Sequence, residues 1–430
     1  MNQQFEMVCM DTINKYPAWW FLALIALSLC FSVKAQTGHA LPYFIKTAQA
    51  NSPLLNDYNN QVTSNKIDSL KLKATYGFIV TGEATAGYSP NIKGWGYDNA
   101  LTNGQSLFAG VRVVKEFISR NNLNTRLKAY DANIGQILAQ KNLSIQTLNK
   151  QITDQYIATY TSQQHYELSQ EIISLLNQED IILKKLTQSS VFKQTDYLTF
   201  KVTLQQNELT LQQQQAEWQS NYALLNYLCG IVDTQFPTLE APDITKALSP
   251  VDFRKSVYTQ SFKADSLKIA NDSEIIKYNY KPKITAFSDG GYQTSFAQTS
   301  YKNFGLGIGM GVSIPLYDGH QKKMLLQQNQ LALQTRQKYL EQTERQYQQQ
   351  IFQIQNQMDQ YYNMIKTANQ QINYARTLVE ANAKQLPTGD VRMVDFILSI
   401  NNLLSLKGNV IQYKSTLFNL QNQMQYLIIQ

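Results

Sequence analysis

The stretch Phe304-Gly305-Leu306-Gly307-Ile308-Gly309-Met310-Gly311-Val312-Ser313-Ile314 alternates apolar and small residues without a break. It closes in Pro315-Leu316-Tyr317-Asp318-Gly319 and enters a long Gln-rich helical pattern. A two-residue period sends alternate side chains to opposite faces of a strand, and about eleven residues is the span of a transmembrane β-strand. Phe304, Leu306, Ile308, Met310, Val312 and Ile314 are therefore expected to face lipid, with the glycines and Ser313 turned toward a lumen. On that facing, Ile308→Arg is disruptive and Gly309→Ser is mild. A chain that joins a membrane strand to a coiled coil leaves few function classes open.

The N-terminus points to export. Ala18 to Phe31 is an apolar run too short to span a bilayer, and Val33-Lys34-Ala35 has the small residues of a cleavage site, so residues 1–35 read as a signal peptide with Gln36 as the mature start. The flank before the run is weakly basic, which leaves Met7 or Met10 as alternative starts; Leu29 before Cys30 is bulkier than a lipidation motif tolerates. Removal of the leader leaves Cys229 alone, which excludes an intrachain disulfide and a Cys-based metal site. Of the 430 residues only 16% are charged while 26 are tyrosine, a balance suited to membrane interfaces. The net charge of +7 is spread thinly and is not interleaved with stacking aromatics, which disfavours nucleic-acid binding.

An internal duplication organises the chain. Thr195-Asp196-Tyr197-Leu198 matches Val394-Asp395-Phe396-Ile397 at an offset of 199 residues, and Gly110-Val111-Arg112-Val113 matches Gly311-Val312-Ser313-Ile314 at an offset of 201. Nearly equal offsets in a helix-like and a strand-like segment indicate two copies of one module. Repeat 1 covers 36–233 and repeat 2 covers 251–430, joined by a linker at 234–250 that holds Pro237, Pro242 and Pro250. Repeat 1 is expected to place strands at about 75–88 and 107–117, a long helix at about 123–186 and a shorter one at about 194–228. Repeat 2 places strands at about 283–296 and 304–315, a long helix at about 320–386 and a shorter one at about 393–428.

Each long helix has about 65 residues and would reach ~100 Å. Leu123, Leu127, Tyr130, Ile134 and Ile137, then Ile145, Leu148 and Ile152, follow the spacing of a coiled-coil seam. Four strands cannot close a barrel around a lumen, and open sheet edges are not viable in lipid, so several chains are expected to share one barrel.

With these features the chain resembles the TolC-like outer-membrane efflux proteins over nearly all of residues 41–428. The matching residues are Ala48 to Leu54, Lys281-Pro282-Lys283-Ile284 at a strand start, and Gly311 through Gly319. The resemblance implies an α+β membrane protein: a homotrimer with a twelve-stranded β-barrel continued by a coiled-coil tunnel of twelve helices into the periplasm of a Gram-negative bacterium. It implies an exit duct for small molecules, metals or proteins, working with a periplasmic adaptor (membrane fusion) protein and an inner-membrane transporter. It also implies that the turns between long and short helices form the periplasmic tip. By that resemblance Asp395 and Asp196 are gate candidates, with Arg392, Leu398 and Thr199 beside them, and Leu398 stands where the family carries a second acid. Gly389, Asp390, Val391, Ser190 and Val191 are the corresponding adaptor-contact positions. Asp196 and Asp395 have a second reading as helix N-caps.

Nothing in the sequence suggests catalysis. His39, His165 and His320 lack metal-ligand spacing, and no phosphate loop or nucleophile elbow occurs, so no cofactor, metal site or enzyme activity is expected. Glu83 and Asp289 fall on lumen-facing strand positions, where they read as wall polarity. The alternatives are a passive porin-like channel, which would need more strands than the four legible here, and a surface coiled-coil structural or adhesin protein, which would have no need for a duplicated hairpin.

Overall fold

A computed structural model describes residues 40–90, 92–96, 104–244, 252–296 and 300–428. The signal peptide, Cys30, Gln36 and the end of the 234–250 linker lie outside them. The described residues begin with two helices, α1 (Leu41–Asn51) and α2 (Pro53–Thr75), divided where Ser52 Oγ accepts from Leu55 N at 3.4 Å and Pro53 starts the new helix. Strands β1 (Ile79–Tyr88) and β2 (Gln105–Phe117) follow, then the helices α3 (Arg120–Gln188) and α4 (Gln194–Cys229). The order recurs in the second half: α5 (Val257–Asn279), β3 (Lys283–Thr294), β4 (Phe304–Ser313), α6 (Gln321–Gln385) and α7 (Met393–Ile428).

Several boundaries differ from the periodicity for local reasons. Strand β1 begins at Ile79 and not at about 75, because α2 continues through Thr75. Strand β3 stops at Thr294 rather than 296, since Phe296 takes a positive φ of 59°. Helix α3 starts three residues earlier than the seam suggests, capped by Ser119, whose Oγ accepts from Asn122 N at 3.3 Å. Strand β4 ends at Ser313, so Ile314 falls beyond it. The Asp318-Gly319 motif then resets the chain. Gly319 and His320 both take positive φ, and Asp318 accepts from His320 N at 2.9 Å and Lys322 N at 2.8 Å, which anchors the start of α6.

The four strands form one antiparallel sheet in the order β1-β2-β3-β4. All four helix connections leave from one end of it, and the two strand-to-strand loops lie at the other. The hydrophobic core lies among the helices. One cluster joins Phe44, Ile152, Tyr156, Tyr222, Leu225 and Cys229, with Leu239 and Ile244 of the inter-repeat segment laid over it. That segment is tied down by Tyr156 Oη donating to Glu240 O at 2.8 Å and by Leu239 N donating to Gln163 Oε1 at 2.7 Å. A second cluster, at the end of the helices remote from the sheet, joins Leu176, Leu183 and Phe200 to Leu386, Met393 and Phe396, so both halves share one core there. At 65 residues and 1.5 Å per residue, α6 alone reaches ~100 Å. No described helix is long and apolar enough to cross a membrane.

Candidate functional site

Two regions hold the residues of interest: the wall of the sheet and the turns at the remote end of the helices. In the wall, directly paired residues share a face. The register sets Gly307 opposite Asp289, Gly309 opposite Phe287 and Gly311 opposite Thr285, and continues through Arg112 opposite Asp289 and Thr81 opposite Arg112. The glycine face therefore carries Glu83, Arg112, Glu116, Lys283, Phe287 and Asp289. The other face carries Phe304, Leu306, Ile308, Met310 and Val312, all exposed in the protomer, with Ile308 at 80% and Ile314 exposed just past the strand.

The glycines of β4 serve space rather than backbone freedom, since none of them takes a positive φ. At Gly309 a Cβ would overlap the Phe287 ring, and at Gly307 it would stand 2.9 Å from Asp289 Oδ2. Gly305 has nothing within 4 Å. The expectation that Gly309→Ser is mild is thus corrected, because Phe287 already occupies that volume. Periodicity gives the facing of Gly309 but not its cross-strand neighbour. Arg112 crosses the Phe287 ring at 5.2 Å and pairs with Glu83 at 3.7 Å, so Glu83 and Asp289 flank one guanidinium on this face.

At the helix turns, the repeat is visible in backbone conformation. Ser190 (φ 62°) and Gly389 (φ 78°) both take the left-handed conformation, 199 residues apart. Val191 N donates to Leu186 O at 2.9 Å and Gly389 N to Leu386 O at 3.1 Å, closing the last turns of the preceding helices. The two turns meet, with Val191 Cγ1 3.8 Å from the position of a Cβ on Gly389. Val391 and Phe192 pack on the shared core, whereas Asp390 is exposed and accepts from Thr388 Oγ1 at 2.6 Å.

Neither candidate aspartate is an N-cap. Lys193 precedes α4 and Arg392 precedes α7, and Asp196 and Asp395 sit in the first helical turns, where a negative charge faces the positive end of the helix dipole. Arg392 and Asp395 form a bidentate pair, Nε to Oδ2 at 2.8 Å and Nη2 to Oδ1 at 2.9 Å. The Arg392 guanidinium holds the Asp395 carboxyl below the usual carboxylate range. Leu398 and Thr199 are exposed one turn further on, and Thr199 Oγ1 donates to Thr195 O at 3.0 Å. Among the described residues, no group of three or more His, Cys, Asp or Glu converges as a metal site requires.

No protein-family model matches the sequence, and no curated protein matches it. Solved structures do. The outer-membrane channel OprN superposes with a TM-score of 0.73 at 14% identity, covering 90% of this chain and 89% of its own. CusC, described in terms of transmembrane channel formation, gives 0.75 at 10% identity over 90% and 91% of the two chains. The outer membrane protein VceC from Vibrio cholerae gives 0.71 at 15% identity over 90% and 95%. The chain has the TolC-like outer-membrane channel fold, a long helical body joined to a four-stranded β domain.

Proposed function

We propose that this protein is the outer-membrane exit duct of a tripartite export system. One observation carries the proposal: a four-stranded sheet with open edges at β1 and β4 presents an unbroken apolar row to the outside and continues end-on into helices of ~100 Å. Three copies would pair each β4 with a neighbour's β1, remove every open edge and close a twelve-stranded barrel over a helical tunnel. The apolar row from Phe304 to Ile314 would then face lipid, with the helices in the periplasm of a Gram-negative bacterium. The remote turns, at Gly389, Asp390, Val391, Ser190 and Val191, would meet a periplasmic adaptor coupled to an inner-membrane transporter. Asp395, Arg392, Asp196, Leu398 and Thr199 would surround the narrow end as its gate. The cargo class is small molecules, metal ions or proteins, moved outward without chemical change.

The test is the mass of the detergent-solubilised protein together with conductance in planar bilayers. A trimer that conducts is expected. A monomer, or a trimer that never inserts, would overturn the duct.

A further inference from the structure

The outward face of the sheet carries a single charge. Its positions are Val80, Gly82, Ala84, Ala86 and Tyr88 on β1, the odd residues of β2, the even residues of β3, and Phe304 to Val312 on β4. Among these described strand residues only Lys115 is ionisable as a charged group, while Glu83, Arg112, Glu116, Lys283 and Asp289 all fall on the opposite face. Among the described residues no carboxylate pairs with Lys115. Its ammonium lies instead 4.5 Å from the centroid of the exposed Phe78 ring.

Lys115 is two residues from the end of β2 that leads into α3, a depth of roughly 7 Å at ~3.3 Å per residue. The same end carries two more lysine–aromatic pairs, Lys281 at 4.3 Å from the Tyr278 centroid and Lys322 at 5.8 Å from Tyr280. A cation on an apolar-facing surface needs a counter-ion, and at this depth the groups of opposite sign in a bilayer are lipid phosphates. Aromatic rings prefer the same headgroup layer.

We propose that Lys115 and Phe78 form a binding site for the phosphate of an anionic glycerophospholipid at the helical end of the barrel. The inference rests on the membrane placement of the sheet given above, which assigns that end to the periplasmic leaflet. The phosphate neutralises Lys115 while Phe78 packs on the glycerol and upper acyl carbons. Lys322 and Lys281 make the rim around it electropositive. Lys283, at the same end but on the inner face, is shielded from lipid.

The test is native mass spectrometry of the full-length protein in neutral detergent, titrated with phosphatidylglycerol or phosphatidylcholine of identical chains. The wild type is expected to prefer phosphatidylglycerol about fivefold, the gain of one lysine near an anionic surface. Lys115→Arg should keep the preference, Lys115→Gln should bring it close to parity, and Lys283→Gln should leave it unchanged. Absence of a preference in the wild type, or its survival in Lys115→Gln, would overturn the site. Bilayer conductance of the same samples separates the two readings: a conducting protein without the preference loses only the lipid site, whereas one that never inserts loses the barrel placement beneath it.

Discussion

Three substitutions along β4 test the facing of the sheet with magnitudes that differ in origin. On the membrane placement proposed above, Ile308→Arg puts a guanidinium in lipid near mid-strand, at a cost of about 2–4 kcal/mol. Gly305→Ser adds a side chain on the inner face with nothing within 4 Å, and removing a strand glycine recovers backbone entropy, so it is expected between neutral and about 1 kcal/mol stabilising. Gly309→Ser is on the same inner face but meets the Phe287 ring. The ring has to leave its rotamer or push the wall outward, which costs about 1–3 kcal/mol as overpacking. Displacing it also loosens the Arg112 contact across the ring, worth about 0.5–1 kcal/mol. The assay is urea unfolding in lipid vesicles, followed by loss of the β-sheet signal. Gly305→Ser is expected to be the most stable of the three, with Gly309→Ser and Ile308→Arg both below it. A Gly305→Ser variant as unstable as Ile308→Arg would refute the facing, and equal behaviour of the two glycine variants would refute the Phe287 contact.

Other outcomes follow from the helices. The Asp395 carboxyl is depressed by Arg392, so the pair's contribution is in place above the ordinary carboxyl value and is lost as pH falls through the lower native one. Wild-type conductance should therefore rise only below the usual carboxylate range, while Asp395→Asn should be open at neutral pH; a pH-independent wild type would remove the pair from the gate. Burial pushes the Cys229 thiol up to about 12, so a thiol reagent added to the mature protein at pH 8 should label it only on unfolding, and prompt labelling of the folded form would contradict its place in the core. Phe396→Ala empties a fully buried position in the core shared by both halves and should cost about 3–5 kcal/mol in helix unfolding, read by thermal melts. A loss below 1 kcal/mol would mean that the remote end is not packed as one unit.

Element order and the division of each strand into two faces were legible in the sequence because they depend on periods that one strand or helix displays alone. The alternation from Phe304 to Ser313 carries its own facing, and the 199-residue offset carried over to two left-handed turns, at Ser190 and Gly389. What could not be read depends on a second element. The volume above Gly309 belongs to Phe287, its partner on the neighbouring strand β3, and no property of β4 announces it. The starts of the shorter helices near 194 and 393 were legible and already put Asp196 and Asp395 in the first turn, not at the cap; what could not be read was the bidentate grip of Arg392 on Asp395. The parity of β2 was available from the repeat, which sets Val111 on Val312 and so puts Lys115 on the apolar face, but the ring of Phe78 beside its ammonium was not.

The duplication also bears on where closure at the remote end would reside. Both turns have a residue in the left-handed conformation, Ser190 or Gly389, and an aspartate six positions later. Of the side chains that differ between them, one bears on the aspartate: Lys193 stands where the second repeat has Arg392. A guanidinium offers a planar fork matched to both carboxylate oxygens, whereas an ammonium is a point charge on a flexible stem. Accordingly, Arg392 grips Asp395 through two bonds, while Lys193 makes no capping bond and no ion pair with Asp196 among the described residues. A restraint at the turns is therefore built on the second repeat. If the gate is there, release of the single Arg392–Asp395 pair in each protomer frees the α6–α7 turn, and the α3–α4 turn, held by the shared apolar core around Phe200 and Phe396, serves as the fixed side against which it moves.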